Sequence, residues 1–286
     1  MRVLIALLFV SSAAVAQDKK LVLVAGKQSH GPGDHEFRAG SMLLQKCLTG
    51  FPGLKVEVVS NGWPTDEAVF EGATAVVCYA DGGGGHPFVQ GDRLQKVGAW
   101  AKKGVGIGFM HYGVEVLKDK GGAEFKDWTG GYYEHMYSCN PMWSPEYKTF
   151  PDHPVARGVK PFSTNDEWYM NIRFRDDPAG IVSILSAVPS EQVRKGPYVY
   201  PKGPYEHVVA NAGKSETMMW AVERPDGGRG FGFTGGHRHK NWGDDNHRKV
   251  VLNALVWLCK LEVPAEGVAS TVTADDLAQN LDPKKK

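Results

Sequence analysis

The sequence predicts an α/β fold in which a mostly parallel sheet carries helices on both faces, and three observations predict it. Apolar runs recur at residues 20–26, 73–80 and 105–113, as expected of strands buried on both sides. Helix-patterned stretches separate the runs at spacings near those of βαβ units, and right-handed crossovers lay such strands parallel. The chain has 286 residues, 42% hydrophobic and 23% charged, which is ordinary globular composition and enough to bury a large core without staples.

The elements follow in order. Residues 1–16 read as an export leader: Arg2 is the positive start, residues 3–10 are an unbroken apolar run, and Ala14-Val15-Ala16 is a small-x-small cleavage site before Gln17. The run is too short to span a bilayer. A buried first strand is the competing reading, but the better strand, KLVLVAG, comes just afterwards. The mature chain is therefore expected in the periplasm or outside the cell, as one domain over residues 17–264 with a loose polar tail over 265–286. RAGSMLLQKCLTG has helical spacing with Gly50 as its stop, LKVEVVS alternates as a second strand, and DRLQKVGAWAKKG is a helix stopped by Gly104. Residues 121–215 are rich in Gly, Pro and aromatics and show weak periodicity. ERPDGGRGFGFTGG reads as a late hairpin, and DDNHRKVVLNALVWLCKL as a final helix capped by Asp244 or Asp245.

Losing the leader takes the formal charge from +1 to 0. That balance gives no electrostatic case for nucleic acid or an anionic membrane and points to a small-molecule partner. Cys47, Cys78, Cys139 and Cys259 show no CxxC spacing, and three lie in apolar runs. Buried free thiols are expected.

In an open parallel sheet, ligands gather beyond the carboxyl ends of the strands. The loop after the first strand carries His30, Asp34, His35 and Glu36; the loop after the third carries Asp81 and His86. The turn after the fourth carries His111, Tyr112 and Glu115, and the last strand ends at His237 and His239 with Trp242 behind. Six of the ten histidines thus fall in four loops on one expected edge. Each alone is an ordinary loop residue; their convergence makes a shared site. Imidazole ligates divalent metal and titrates near neutrality, and neighbouring carboxylates complete a shell or act as acid or base. Neither GxxxxGK[ST] nor GxGxxG follows a strand, so no nucleotide cofactor is expected and the GGGG run is read as turn glycines.

GIGFMHYGVE is similar, in its strand-turn-helix character, to the nucleophile elbow of class I glutamine amidotransferases, whose turn carries cysteine at its tip and glycine two places on. Here His111 stands at the tip with Gly113 following. The thiolate is missing, so glutaminase chemistry is expected to be absent. With SHGPGDHEF, DHPVARGVKPF, NDEWY, GGHRHKNW and VVLNALVWL in order, the chain resembles the ThuA-like (trehalose-utilization) family from about residue 20 to 260. The resemblance implies a flavodoxin-like three-layer α/β sandwich of the class I glutamine amidotransferase type, a pocket above the elbow, and use of disaccharides or of sugars oxidised at a ring carbon. Carried over by motif, the site comprises His30, His35, His111, Glu167 and His237.

Two functions follow. One is an exported enzyme on glycosides or keto-sugars (lyase, hydrolase or isomerase), with His111 and Glu167 in acid–base roles and His30, His35 and His237 as ligands of a divalent metal or as substrate contacts. Tyr112, His86 and Trp242 are its substrate-binding candidates, and Trp128, Tyr132 and Tyr133 offer further faces for sugar stacking. His239 and His247 are expected on the surface. The other function is a non-catalytic sugar-binding protein. A serine or cysteine hydrolase is disfavoured, because no GxSxG is present.

Overall fold

The computed structural model describes residues 17–285; the leader reading of residues 1–16 lies outside the described residues. Seven strands form the central sheet: β1 (Lys19–Ala25), β2 (Leu54–Val59), β3 (Ala73–Tyr79), β4 (Gly106–Met110), β5 (Ile181–Ala187), β6 (Glu216–Glu223) and β7 (Arg229–Phe233). Their order is β5-β6-β7-β4-β3-β1-β2. Strands β2, β1, β3, β4 and β7 pair in parallel, and β6 runs against both of its neighbours.

The period-2 alternation of β1 explains the layers. Leu21, Leu23 and Ala25 face one core with α1 (Phe37–Cys47). Val22 and Val24 face the other with α2 (Arg93–Lys102) and α3 (Gly122–Thr129). Helix α4 (Asp245–Leu258) joins α1 on the first face, and Asp244 caps it by accepting from the backbone N–H groups of Asn246 and His247. The result is a three-layer α/β sandwich, as the resemblance implied. All four cysteines are free, three buried and Cys47 half-buried. No helix among the described residues is long and apolar enough to cross a membrane.

The structure departs from the sequence reading in three places. Strand β5 lies in the region of weak periodicity; it is a sheet edge whose pairing with β6 shifts register twice, which breaks the alternation that marks a strand. The elbow turns into a single 3-10 turn (His111–Val114) and a two-residue strand (Glu115–Val116) rather than a helix. The tail is docked rather than loose. Helix α5 (Ala274–Ala278) begins in a capping box at Thr273, and beyond it the Lys284 side chain is only 2% exposed beside the buried Glu36 carboxylate, 3.2 Å away. A buried carboxylate needs such a partner, and that need holds the polar segment down.

Candidate functional site

Strands β7, β4, β3 and β1 are neighbours, so the loops at their carboxyl ends meet. The β1 loop and the segment after β7 are laced together: His35 N donates to His237 O (2.9 Å) and His239 N donates to Gly33 O (2.9 Å). Asp166, fully buried, fixes the same segment by accepting from the backbone N–H groups of Gly236 (3.0 Å), His237 (3.1 Å) and Arg238 (3.3 Å). The extended Asp166–Glu167 pair thereby turns Asp166 to the loop and Glu167 to the site, as strand alternation requires.

Four side chains converge at the floor. His111 Nε2 lies 3.0 Å from His35 Nε2, and His35 Nε2 lies 3.0 Å from His237 Nδ1. Glu167 Oε2 lies 2.7 Å from His237 Nδ1 and 3.9 Å from His111 Nε2. All four residues are buried, and their ligand atoms lie within 4.8 Å of one another, so the group could hold a metal ion. The outer nitrogens are taken: His111 Nδ1 donates to Thr234 O at 3.0 Å, His35 Nδ1 pairs with Asp81 at 2.9 Å, and His237 Nε2 faces Asp34 at 3.4 Å. His30, His35 and Asp81 form a second, more exposed group beside the first, with the His30 and His35 ring centroids 3.6 Å apart and the rings tilted by 31°.

Three of these histidines sit in the left-handed region, with φ of 57° at His30, 49° at His35 and 50° at His111. Such backbone is costly for residues with a Cβ and collects where a site demands a particular side-chain direction. Burial, then the neighbouring imidazoles, lowers the pKa of both His35 and His111 below the ordinary histidine value. At His237 burial also disfavours the proton, but the hydrogen bond and charge of Glu167, with Asp34 and Asp166, outweigh it and raise the pKa.

A cavity of about 440 Å³ opens over His35 and Glu167 and is lined also by His30, Tyr112, Glu115, Asn140, Tyr169 and Tyr200. A cavity of about 480 Å³ between α1, β2 and α5 lies away from the histidines. Of the substrate-binding candidates, Tyr112 lines the site cavity, whereas His86 and Trp242 do not. His86 is sealed under the elbow, its Nε2 on Gly113 O (3.0 Å) and its Nδ1 accepting from Phe88 N (3.0 Å). Trp242 packs in the core against Tyr79 and Phe233. Trp128, Tyr132 and Tyr133 are core residues too; the exposed aromatic at the cavity rim is Tyr200, stacked with His135.

His239 and His247 are buried, not on the surface. His239 Nε2 donates to Leu277 O under the docked tail (3.1 Å), and His247 starts α4 facing Trp168, Phe233 and Trp242. The sequence reading passed over Asp166, Asn140 and Tyr169. Tyr169 was accessible, because it stands two places after Glu167 and shares its face; Asn140 lies in a stretch with no period to read.

A mostly parallel α/β sandwich with histidine at the turn after β4 and a buried floor of three imidazoles and one carboxylate defines the class of site. The chain belongs to the ThuA family, described as trehalose utilisation, whose model matches residues 21–258. It is similar in structure to a protein described as ThuA-like from Bacteroides uniformis (TM-score 0.59, 14% identity, covering 87% of this chain and 95% of that one). A second, also described as ThuA-like, is from Parabacteroides merdae (TM-score 0.56, 16% identity, covering 91% and 99%). A weaker likeness is to a glutamine amidotransferase of Thermotoga maritima (TM-score 0.41, 9% identity, covering 86% and 97%). No curated protein matches significantly. Family membership gives the chain a carbohydrate-related role.

Proposed function

We propose that the protein is an exported enzyme acting on glycosides oxidised on the sugar ring, with a divalent cation held by His35, His111, His237 and Glu167. The observation that carries the reading is the meeting of three imidazole nitrogens and a carboxylate beneath a cavity with an aromatic rim. The fit to a cation rests on the outer hydrogen bonds. Thr234 O can only accept, so His111 carries its proton on Nδ1, and the Asp81 carboxylate assigns the same tautomer to His35. Two Nε2 lone pairs then face each other with no proton between them, which an electron-pair acceptor resolves. Three imidazoles and one carboxylate suit zinc or another first-row metal better than calcium or magnesium. A bound cation supplies Lewis acidity toward a carbonyl or enolate oxygen of the sugar.

This reading moves His111 and Glu167 from acid–base roles to ligation: His111 is sealed from the cavity, and the Glu167 carboxylate at its wall already takes Asn140 Nδ2 and His237 Nδ1. Among possible ring ketones, a carbonyl at C3 acidifies the C2 proton and places the glycosidic oxygen on C1 at the β position, so removal of the proton leads to departure of that oxygen. His30, exposed at the cavity with Asp81 behind it at 4.0 Å, is the base within reach. Tyr200 and His135 supply flat faces at the rim. The leader-like residues 1–16 support export to the periplasm or beyond.

The test is to incubate the protein, before and after chelation, with 3-keto-glucosides in D₂O and follow the C2 proton and the released alcohol by NMR. Metal-dependent exchange and cleavage are expected. Sugar binding without either would sink the enzymatic reading and leave a sugar-binding protein.

A further inference from the structure

Glu115 lines the site cavity yet, among the described residues, has no hydrogen-bond or ion-pair partner for its carboxyl. The other carboxylates there are engaged. Glu167 takes Asn140 Nδ2 at 2.7 Å and His237 Nδ1 at 2.7 Å, and Asp81 takes Ser29 Oγ at 3.0 Å and His35 Nδ1 at 2.9 Å.

The glycine run after β3 keeps Glu115 uncovered. A Cβ on Gly82 would stand 2.1 Å from Tyr112 O and 2.7 Å from Glu115 O, so only glycine lets this loop pass the elbow segment. A Cβ on Gly83 would lie 3.7 Å from the Tyr112 hydroxyl and 3.8 Å from Glu115 Oε1. With two hydrogens there instead of side chains, carboxyl and phenol both stay open to the cavity. The glycine run thus does more than permit a turn: it has a consequence at the site.

Glu167 and the phenols of Tyr112, Tyr133, Tyr169 and Tyr205 are close enough for their charges to act on or feel Glu115, and His30, His35 and His135 line the same cavity. All four phenols are pushed above the usual tyrosine value, first by burial, and stay neutral. Burial, then the negative charge of Glu167, raises Glu115 to about 8. Burial is the larger cause, and a half-buried carboxyl with no hydrogen-bond donor of its own is pushed toward its protonated form.

We propose that Glu115 is the acid of this site, giving its proton to the glycosidic oxygen as that oxygen leaves C1. The inference rests on the keto-glycoside reading above. As the C1–O bond breaks, its electron pair goes to the leaving oxygen, which takes the Glu115 proton and departs as an alcohol. The enolate electrons form the C1=C2 bond and restore the C3 carbonyl. Water then adds to C1, returning one proton to Glu115, while C2 recovers its proton from the base. No oxidant or reductant is consumed.

The experiment compares Glu115→Gln and Glu115→Ala with wild type on methyl and 4-nitrophenyl 3-keto-glucosides, alongside C2 exchange in D₂O. In Glu115→Gln, kcat/KM for the methyl glycoside is expected to fall about 100-fold or more, the usual weight of a general acid. The nitrophenyl glycoside, whose leaving group needs no proton, should lose less than about tenfold. C2 exchange should persist, and formate should restore Glu115→Ala. Equal losses for both leaving groups, or loss of exchange, overturn the proposal while leaving the keto-glycoside reading intact. A wild-type protein that neither exchanges nor cleaves removes that reading and this proposal with it. Infrared difference spectra of the ligand-free protein give a check without turnover. A protonated carboxyl band near neutral pH, absent from Glu115→Gln, is expected; its absence from wild type overturns the proposal, because an ionised carboxyl has no proton to give.

Discussion

His35 Nε2 and His111 Nε2 face each other at 3.0 Å although the Nδ1 of each ring is already engaged, by Asp81 and by Thr234 O. With a proton on each Nδ1 and burial opposing a second, neither ring can donate to the other. In the metal-free chain the donors within reach of these lone pairs are His237 Nδ1, 3.0 Å from His35 Nε2, and the Tyr169 hydroxyl, 3.5 Å from His111 Nε2; a cation would take up both lone pairs at once. The purified protein is therefore expected to take up about one equivalent of zinc or a similar ion. At a free metal concentration 100 times Kd, the bound state gains about 2.7 kcal/mol, or roughly 5–10 °C in Tm for a chain of this size. His111→Ala or His35→Ala should abolish uptake, and Asp81→Asn should weaken it about 10- to 100-fold through loss of the hydrogen bond behind His35. Titration calorimetry with metal analysis checks this; wild type that takes up no ion from zinc, manganese, iron or nickel salts would refute it.

Asp166 holds the segment that carries His237. Its carboxylate is fully buried and accepts from three consecutive backbone N–H groups, and from Asn241 Nδ2 at 2.9 Å. Asp166→Ala leaves those donors without an acceptor, each at about 1–3 kcal/mol. A loss of about 3–5 kcal/mol is expected by urea unfolding, with metal affinity falling as His237 loses its fixed position. Unchanged affinity in a folded variant would show that the segment keeps its shape without Asp166.

The tail should matter for the same reason. Glu36 is buried and accepts from Gly33 N (3.0 Å), Asp282 N (2.8 Å) and Lys284 Nζ (3.2 Å), and Lys284 also donates to Asp34 O. Ending the chain at residue 272 removes two of those three donors and strands a buried charge. The expected loss is about 3–5 kcal/mol, read as a lower Tm, together with weaker metal binding because Asp34 and His35 share that loop. A truncated chain that melts with the full one would show that water replaces the tail.

Much of this was legible because it follows from periodicity. Continuous apolar strands fixed which loops open on the carboxyl edge, and so His35, His111 and His237 could be grouped before any coordinate. What stayed hidden depends on contacts that no period encodes. Asp166 and Glu167 are adjacent carboxylates, and only the fold shows that one clamps a loop while the other faces the site. His86 and His247 look like site or surface residues in the sequence, yet each is sealed among aromatic side chains. The docking of Lys284 on Glu36 joins residues about as far apart in the chain as the fold allows, and a polar tail carries no apolar stripe to announce it. Glu115 was visible as a residue of the elbow turn, but its lack of a hydrogen-bond or ion-pair partner among the described residues is a fact of three dimensions.

Those sealed histidines set the acid sensitivity of the fold. His247 is held to about 3, by burial first and then by the Arg248 charge, and His86 is held to about 3 by burial, against its hydrogen bond to Gly113 O. Both values lie below the unfolded histidine value near 6.5, so below that pH the unfolded chain binds protons that the native chain refuses. Stability contributed by each neutral ring is complete above about pH 6.5 and is lost as pH falls toward about 3, with a slope of about 1.4 kcal/mol per pH unit per group. His247→Leu isolates one of them. The ring is packed among Trp168, Phe233 and Trp242, its Nε2 has no partner, and its one hydrogen bond is to Thr164 Oγ1 at 3.2 Å. The substitution should leave stability within about 2 kcal/mol at neutral pH. Between about pH 6 and 4 the variant should gain on wild type by about 1.4 kcal/mol per unit. Parallel urea-unfolding profiles for the two proteins across that range would mean that His247 takes up its proton in the native state, and that its aromatic surroundings open to admit it.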